Sequence, residues 1–386
     1  AAKAVESPTV TDAASPSAQP DWTKLAPGRP LGFNDPLYVS RPPLLGSAGG
    51  ERIAALLRAT GRPLVVAGPG GSGKSTELAI AAGLLQQEMV ACPVPLDRMI
   101  DVHALGADEA LHHIAGQLAT MALSIQRIKL SSELKGDLVA AGVLNPKYAS
   151  NPPEAPRVTG AELLVRTLRE VRKIGRRGHT VLLVDGLEKC PEATARAVTL
   201  SLLGMRDEAG LVVVAPAGLV TGPSSYEVLS QVRVVALRAL PVMKAPGVPW
   251  QVAREFLRTV AQRRMGVETP AINLANLLNV AAEWSGGILR VFLQLVQDAV
   301  GYAAVMGREA PTLKDLDDAV RDLSEVTTCL LRDGDVAMLQ GAEGTGGIEV
   351  PLERRLRYLE QGLMLEYEVD GHTVVHPAPL LKLGRR

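Results

Sequence analysis

Nine consecutive residues, Gly68-Pro69-Gly70-Gly71-Ser72-Gly73-Lys74-Ser75-Thr76, have the Gly-x4-Gly-Lys-Ser spacing of a phosphate-binding loop. Glycines let such a loop wrap so that several backbone N–H groups converge on one phosphate. A helix beginning at its end adds roughly half a positive charge. Lys74 is then placed to reach the β and γ phosphates of a nucleoside triphosphate, and Ser75 to ligate Mg²⁺. A second acidic site follows the apolar run Val181-Leu182-Leu183-Val184, which ends in Asp185. A buried strand of this kind delivers a carboxylate to the sheet edge where the loop also lies, so Asp185 is the candidate to hold Mg²⁺ through water. Glu188, three residues on, is the candidate to orient or deprotonate an attacking water.

These roles require particular elements around them. Residues 63–67 form a short apolar run before the loop, and Leu78, Ile80, Leu84 and Leu85 give an amphipathic helix after it. Further strand candidates at 89–96, 180–185 and 211–215 alternate with helical stretches at 102–123 and 160–174. That alternation predicts an α/β fold with a parallel P-loop NTPase sheet. Residues 51–60 read as a helix, while 140–157, with four prolines, reads as a surface loop. Beyond about residue 245 strands give way to helices at 250–264, 271–283 and 288–306, a small helical lid. A helix over 351–363 then precedes extended runs at 364–369 and 373–375 flanking Asp370-Gly371, a tight hairpin signal. Helix followed by hairpin is the back half of a winged helix. The Ala/Ser/Pro-rich start cannot bury enough apolar surface to order itself. The expected organisation is a disordered tail over 1–31, a P-loop core over 32–244, a helical lid over 245–325 and a winged helix over 326–386.

A chain of 386 residues exceeds the usual size of one core. Its 41 basic and 41 acidic residues cancel, which removes any bulk electrostatic pull toward nucleic acid or an anionic membrane. The three cysteines lack metal-ligand spacing and suit a reducing compartment. With no apolar run of about 18 residues and no signal-like start, the expectation is a cytoplasmic protein without a membrane partner. Local basic clusters remain. Arg166, Arg169, Arg172, Lys173, Arg176 and Arg177 line one helical face, and Arg354, Arg355 and Arg357 lie on the helix before the hairpin, where a winged helix meets DNA.

Together, Gly68 to Thr76 and Asp185-Gly186-Leu187-Glu188 resemble the STAND branch of AAA+-related ATPases. AAA+ proteins usually place the catalytic Glu directly after the Asp. Here Gly186 stands there and the acid comes at Glu188, similar to the Asp-Gly-Leu-Asp runs of STAND proteins. Ser285-Gly286-Gly287-Ile288-Leu289-Arg290 is similar to the AAA+ sensor 2 segment, which implies that Arg290 touches the γ-phosphate. Val374-Val375-His376-Pro377 is similar in position to a STAND winged-helix motif, which implies that His376 contacts the β-phosphate of ADP. No residue fits sensor 1, since the 211–215 strand ends in Pro216-Ala217-Gly218, and no arginine finger is assigned. The order of units also resembles Orc/Cdc6-type initiators and the NB-ARC and NACHT switch proteins.

The resemblance implies ATP/ADP and Mg²⁺ as ligands, with slow or activator-dependent hydrolysis. No Asn-Lys-x-Asp run is present to read guanine. It implies a nucleotide switch, of the kind found in bacterial signalling or defence, that controls assembly of a homo-oligomer or engagement of a separate effector or sensor protein. One alternative is a DNA-binding AAA+ ATPase, an initiator-like loader or transposition regulator that meets duplex DNA through the winged helix. Another is a scaffold that holds ADP without turnover. Purely structural roles stand beside each assignment: a strand-end cap for Asp185, a loop acid for Glu188, a surface arginine for Arg290, a strand-end histidine for His376 and a solvated face for the arginine stripe.

Overall fold

The computed structural model describes residues 20–45, 49–149, 151–174, 179–222, 225–245, 248–342 and 349–382. The chain opens with α1 (Gly50–Thr60), stopped by Gly61, whose positive φ lets its N–H cap the Leu57 carbonyl at 2.9 Å. β1 (Leu64–Ala67), α2 (Lys74–Leu85), β2 (Val90–Pro95), the short α3 (Leu96–Met99), α4 (Ala107–Ser124), α5 (Ser132–Ala140) and α6 (Gly160–Ile174) follow. Then come β3 (Thr180–Asp185), α7 (Glu192–Leu203), β4 (Gly210–Val214), the short α8 (Gly218–Thr221) and α9 (Ser225–Leu229), and β5 (Arg233–Ala236). The five strands form one all-parallel sheet in the order β2-β3-β4-β1-β5. β1 and β3 are buried along their whole length, as continuous apolar runs demand when helices cover both faces. Ile53, Leu57, Leu78 and Leu85 of α1 and α2 pack one face, and Ile114, Leu118, Leu164, Leu168 and Leu202 of α4, α6 and α7 pack the other.

The α/β class with a P-loop between β1 and α2 is as expected. β5 was not: with two valines between an exposed arginine and alanine, it carries too little apolar pattern to read as a strand beside β1. Nor do strands stop at residue 245, because β6 (Met243–Ala245) and β7 (Val248–Pro249) pair antiparallel.

The helical bundle comprises α10 (Gln251–Met265), α11 (Ile272–Trp284), α12 (Leu289–Val305) and α13 (Leu313–Thr328). α13 starts with a Thr312/Asp315 capping box, which Arg308 reinforces by donating to both Asp315 oxygens, and it runs past the expected unit boundary at 325. A disordered tail through residue 31 is corrected for residues 20–31. Leu25 is fully buried in the bundle core, and the Asp21 N–H donates to the Met265 carbonyl at 2.9 Å. Trp22 packs against the same core, so this docking uses single apolar anchors without a periodic pattern. Residues 1–19 lie outside the described residues.

The C-terminal unit has α14 (Asp335–Ala342), α15 (Leu352–Glu360) and the hairpin of β8 (Met364–Val369) and β9 (His372–Pro377). Asp370 and Gly371 both take positive φ, as a two-residue turn requires. Arg354 and Arg357 of α15 turn onto the fully buried Asp335, which also accepts from the Tyr358 hydroxyl at 2.6 Å, and Arg355 pairs with Glu366 at 2.9 Å. The other stripe is likewise engaged, Arg166 with Asp137 and Glu133, and Arg169 and Arg172 with Glu208. Lys173 is exposed, and Arg176 and Arg177 lie outside the described residues.

Burial pushes the Asp335 carboxyl up, but hydrogen bonds from Tyr358, the Arg332 N–H and Arg357 outweigh it and bring it down to about 2. A depressed carboxyl contributes stability above its unfolded pKa and loses it as pH falls through about 2. Asp335→Ala should therefore cost about 3 kcal/mol at neutral pH, since it strands two arginines. Urea unfolding should show a wild-type advantage that disappears toward pH 2.

Candidate functional site

The loop between β1 and α2 is shaped by close approaches. A Cβ on Gly68 would lie 2.2 Å from the Leu237 carbonyl oxygen, and one on Gly71 2.6 Å from the Arg290 Cβ. Gly71 and Gly73 both hold positive φ. Lys74 is 5% exposed, and its Nζ donates to the carbonyls of Gly68 at 2.9 Å and Pro69 at 3.0 Å. Burial lowers its pKa, against the opposing pull of Glu188 and Asp185.

The loop is braced from below by a charge pair that no local sequence pattern announces. Arg41 Nη2 donates to the Ser72 carbonyl, and its Nε lies 3.5 Å from Glu77 on α2. Glu77 also accepts from the Gly50 N–H at 2.7 Å and the Tyr38 hydroxyl at 3.1 Å. Both charges are buried, which lowers the Arg41 pKa and raises that of Glu77, while each partner pulls the other back. Only the tertiary fold brings together Tyr38, Arg41 and the apolar face of α2.

Above the loop lies a cavity of about 460 Å³. Gly68, Pro69, Gly70, Gly71, Gly73, Lys74, Ser75 and Thr76 line it, together with Glu188 and Arg290. Ser72 does not, because its side chain is buried. Glu188 Oε2 is buried without a hydrogen-bond partner among the described residues, and burial raises its pKa, with Lys74 opposing and Asp185 adding. Asp185 sits at the end of β3 just behind this wall, accepting from the Gly186 N–H at 3.0 Å. Ser75 and Asp185 offer a hydroxyl and a carboxylate, the sparse protein donor set with which Mg²⁺ is held beside substrate phosphates.

Gly186 explains why the acid does not directly follow Asp185. Its φ is 94°, and a Cβ there would come 2.7 Å from the Asp97 N–H nitrogen. The chain must turn first, and the short turn Leu187–Lys189 then carries Glu188 into the cavity wall while Lys189 pairs with Asp97.

Gly286 and Gly287 are equally constrained. Cβ atoms there would lie 2.4 Å from Leu365 and 1.8 Å from the Leu240 carbonyl. The Tyr367 hydroxyl donates to Gly286 O at 2.9 Å, and the Arg290 N–H donates to Gly71 O at 3.1 Å. The first turn of α12 is thereby docked on the P-loop. The Arg290 side chain is exposed at the cavity, without a carboxylate partner among the described residues.

His376 does not line the cavity. It pairs in register with Leu365, and its ring lies 6.0 Å from that of Tyr367. The C-terminal unit instead presents Leu359, Glu360, Met364 and Glu366. Burial, reinforced by Glu192, pushes the Glu360 carboxyl up. Sequence reasoning also missed Arg238 and Arg264, which line the same cavity, and the Pro27–Pro30 segment that borders it. Beside β4, Ala215, Pro216 and Ala217 line the wall.

No family model and no curated protein matches the sequence. Among solved structures, the chain is similar to a Walker-type ATPase of Pyrococcus abyssi, at 14% identity and TM-score 0.49, covering 91% of this chain and 100% of that one. It is similar to an Orc1 protein of Aeropyrum pernix in complex with DNA, at 14% identity and TM-score 0.46, covering 86% and 90%. It is also similar to the RuvB Holliday junction branch migration motor of Thermotoga maritima, at 15% identity and TM-score 0.37, covering 77% and 75%. What the chain itself carries is the fold: a five-stranded parallel α/β sheet with a P-loop between β1 and α2.

If Gly186 is required by its backbone, Gly186→Ala should lose at least about 1–2 kcal/mol from the left-handed conformation alone. A denaturation midpoint unchanged from wild type would contradict that requirement.

Proposed function

We propose that this protein is an ATP-binding and hydrolysing AAA+/STAND-like switch whose nucleotide state sets how the helical lid and a C-terminal winged helix sit against the P-loop sheet. The observation that carries this reading is that one cavity is walled by all three units: Lys74 and Glu188 from the sheet, Arg290 from the lid, and Glu360 and Glu366 from the C-terminal unit. A ligand there contacts every part whose arrangement it would have to bias, and only such differential contact can shift an equilibrium.

In this reading the phosphates draw Lys74 Nζ off the Gly68 and Pro69 carbonyls and bind the N–H groups at the start of α2. Ser75, and Asp185 through water, would hold Mg²⁺, which would supply charge neutralisation to the phosphates. Glu188 accepts a proton from the attacking water with its otherwise unpartnered Oε2, and Arg290 meets the γ-phosphate. Carboxylates of the C-terminal unit face the same space, so added phosphate charge disfavours its closed position and favours engagement of a second copy or an effector.

A duplex-DNA reading shares the fold. The arginines nominated for it, Arg354, Arg355 and Arg357, already bond Asp335 and Glu366, so DNA contact through α15 would have to exchange those bonds.

Denaturing freshly purified protein should release adenine nucleotide near one per chain, and Lys74→Ala should release none. Glu188→Gln should retain nucleotide while turnover falls at least about 100-fold. Wild-type protein that carries no nucleotide and binds no added ATP or ADP would refute the proposal.

A further inference from the structure

Three arginines are buried among the described residues, and two have carboxylates: Arg41 has Glu77, and Arg254 has Glu283 at 2.8 Å. The third, Arg264 near the end of α10, has none within ion-pair reach. It is 6% exposed, its Nη1 donates to the Ala26 carbonyl at 2.9 Å, and its Nε is buried without a partner. A guanidinium cannot escape this by losing its proton, and an unmatched buried charge is costly. Burial lowers its pKa, with only the distant pull of Asp35 against it. This arginine also lines the nucleotide cavity.

Its neighbours say which end of the cavity it serves. Residues 26–31 form a strap fixed at both ends: Arg264 holds the Ala26 carbonyl, and the Leu31 N–H donates to Thr76 Oγ1 at 3.2 Å. Thr76 is the third residue of α2, two residues past the lysine assigned to the β and γ phosphates. The strap therefore runs from the phosphate loop away to the lid. Pro27 and Pro30 of the strap line the cavity together with Leu289 and Leu293, apolar surfaces suited to a flat ring. The backbone donors of the loop and Lys74 already serve the phosphates.

We propose that Arg264 is the nucleoside-contacting residue of this cavity, donating to an acceptor on the base or ribose while it holds the strap over the ligand. The inference rests on the nucleotide reading above and extends it: the strap docks with the ligand, so the lid senses the nucleoside as well as the phosphates. A donor-only side chain with a free edge selects for ring nitrogens or oxygens, and it gains most from a ligand that ends its isolation.

Titration calorimetry of the full chain with ADP and with inorganic tripolyphosphate separates the two halves of the site. Arg264→Gln should weaken ADP about tenfold or more while leaving tripolyphosphate within about twofold of wild type. Equal loss for both ligands, or loss for neither, would overturn the assignment. Wild-type protein that binds neither ligand would instead defeat the nucleotide reading itself. Because Arg264→Gln is exposed to folding failure, the wild-type chain supplies a second readout. Photolabelling with 8-azido-ADP should mark peptides from residues 20–31 or from α10. Labelling confined to other peptides would overturn the proposal.

Discussion

The contact on which the arrangement depends is a single backbone hydrogen bond, from the Arg290 N–H to the Gly71 carbonyl. It ties the start of a lid helix to the loop that would cradle the phosphates, and it is available only because Gly71 has no side chain to strike the Arg290 Cβ. The segment that presents Arg290 is shaped by two more glycines. Gly287 lies against Leu240 on the link from the sheet, and Gly286 against Leu365 and Tyr367 on the hairpin. Sheet, lid and hairpin thus meet within a few residues of the loop. Movement of any one of them displaces wall residues of the same cavity.

Buried charge pairs fix this geometry more than they stabilise it. Desolvation of Arg41 and Glu77 offsets much of their attraction, but breaking the pair would leave one charge stranded beneath the P-loop. Arg238 plays a corresponding part between units, pairing with Glu368 of the hairpin while its side chain borders the cavity. Such pairs can be exchanged for a ligand's charge in a way that apolar packing cannot.

Local signals made much of the molecule legible from sequence. The P-loop, the β3 strand ending in Asp185, the helices α10, α11 and α12 and the Asp370-Gly371 hairpin each announce themselves through periodicity or turn chemistry within a short window. What escaped is long-range. Arg41, in a loop before α1, meets Glu77 on α2 far along the chain, and Arg264 reads from sequence as one more polar position on α10. The segment over residues 20–31 has little beyond Trp22, Leu25 and Leu31 to betray its docking, and β5 is too short to carry a pattern. His376 shows the limit from the other side: its position in the chain suited a phosphate contact, yet hairpin register sets it opposite Leu365 and leaves Glu366 to face the cavity.

The central claim is that nucleotide state moves the C-terminal unit relative to the sheet, and an electron-spin distance measurement tests it most directly. Spin labels at cysteines introduced for Glu109 on α4 and His372 on the hairpin, both exposed, would report that separation once the exposed Cys329 is replaced by serine. The account predicts distinct distance distributions with ADP and with a non-hydrolysable ATP analogue, the ATP form longer or broader. Identical distributions with both nucleotides bound would contradict it.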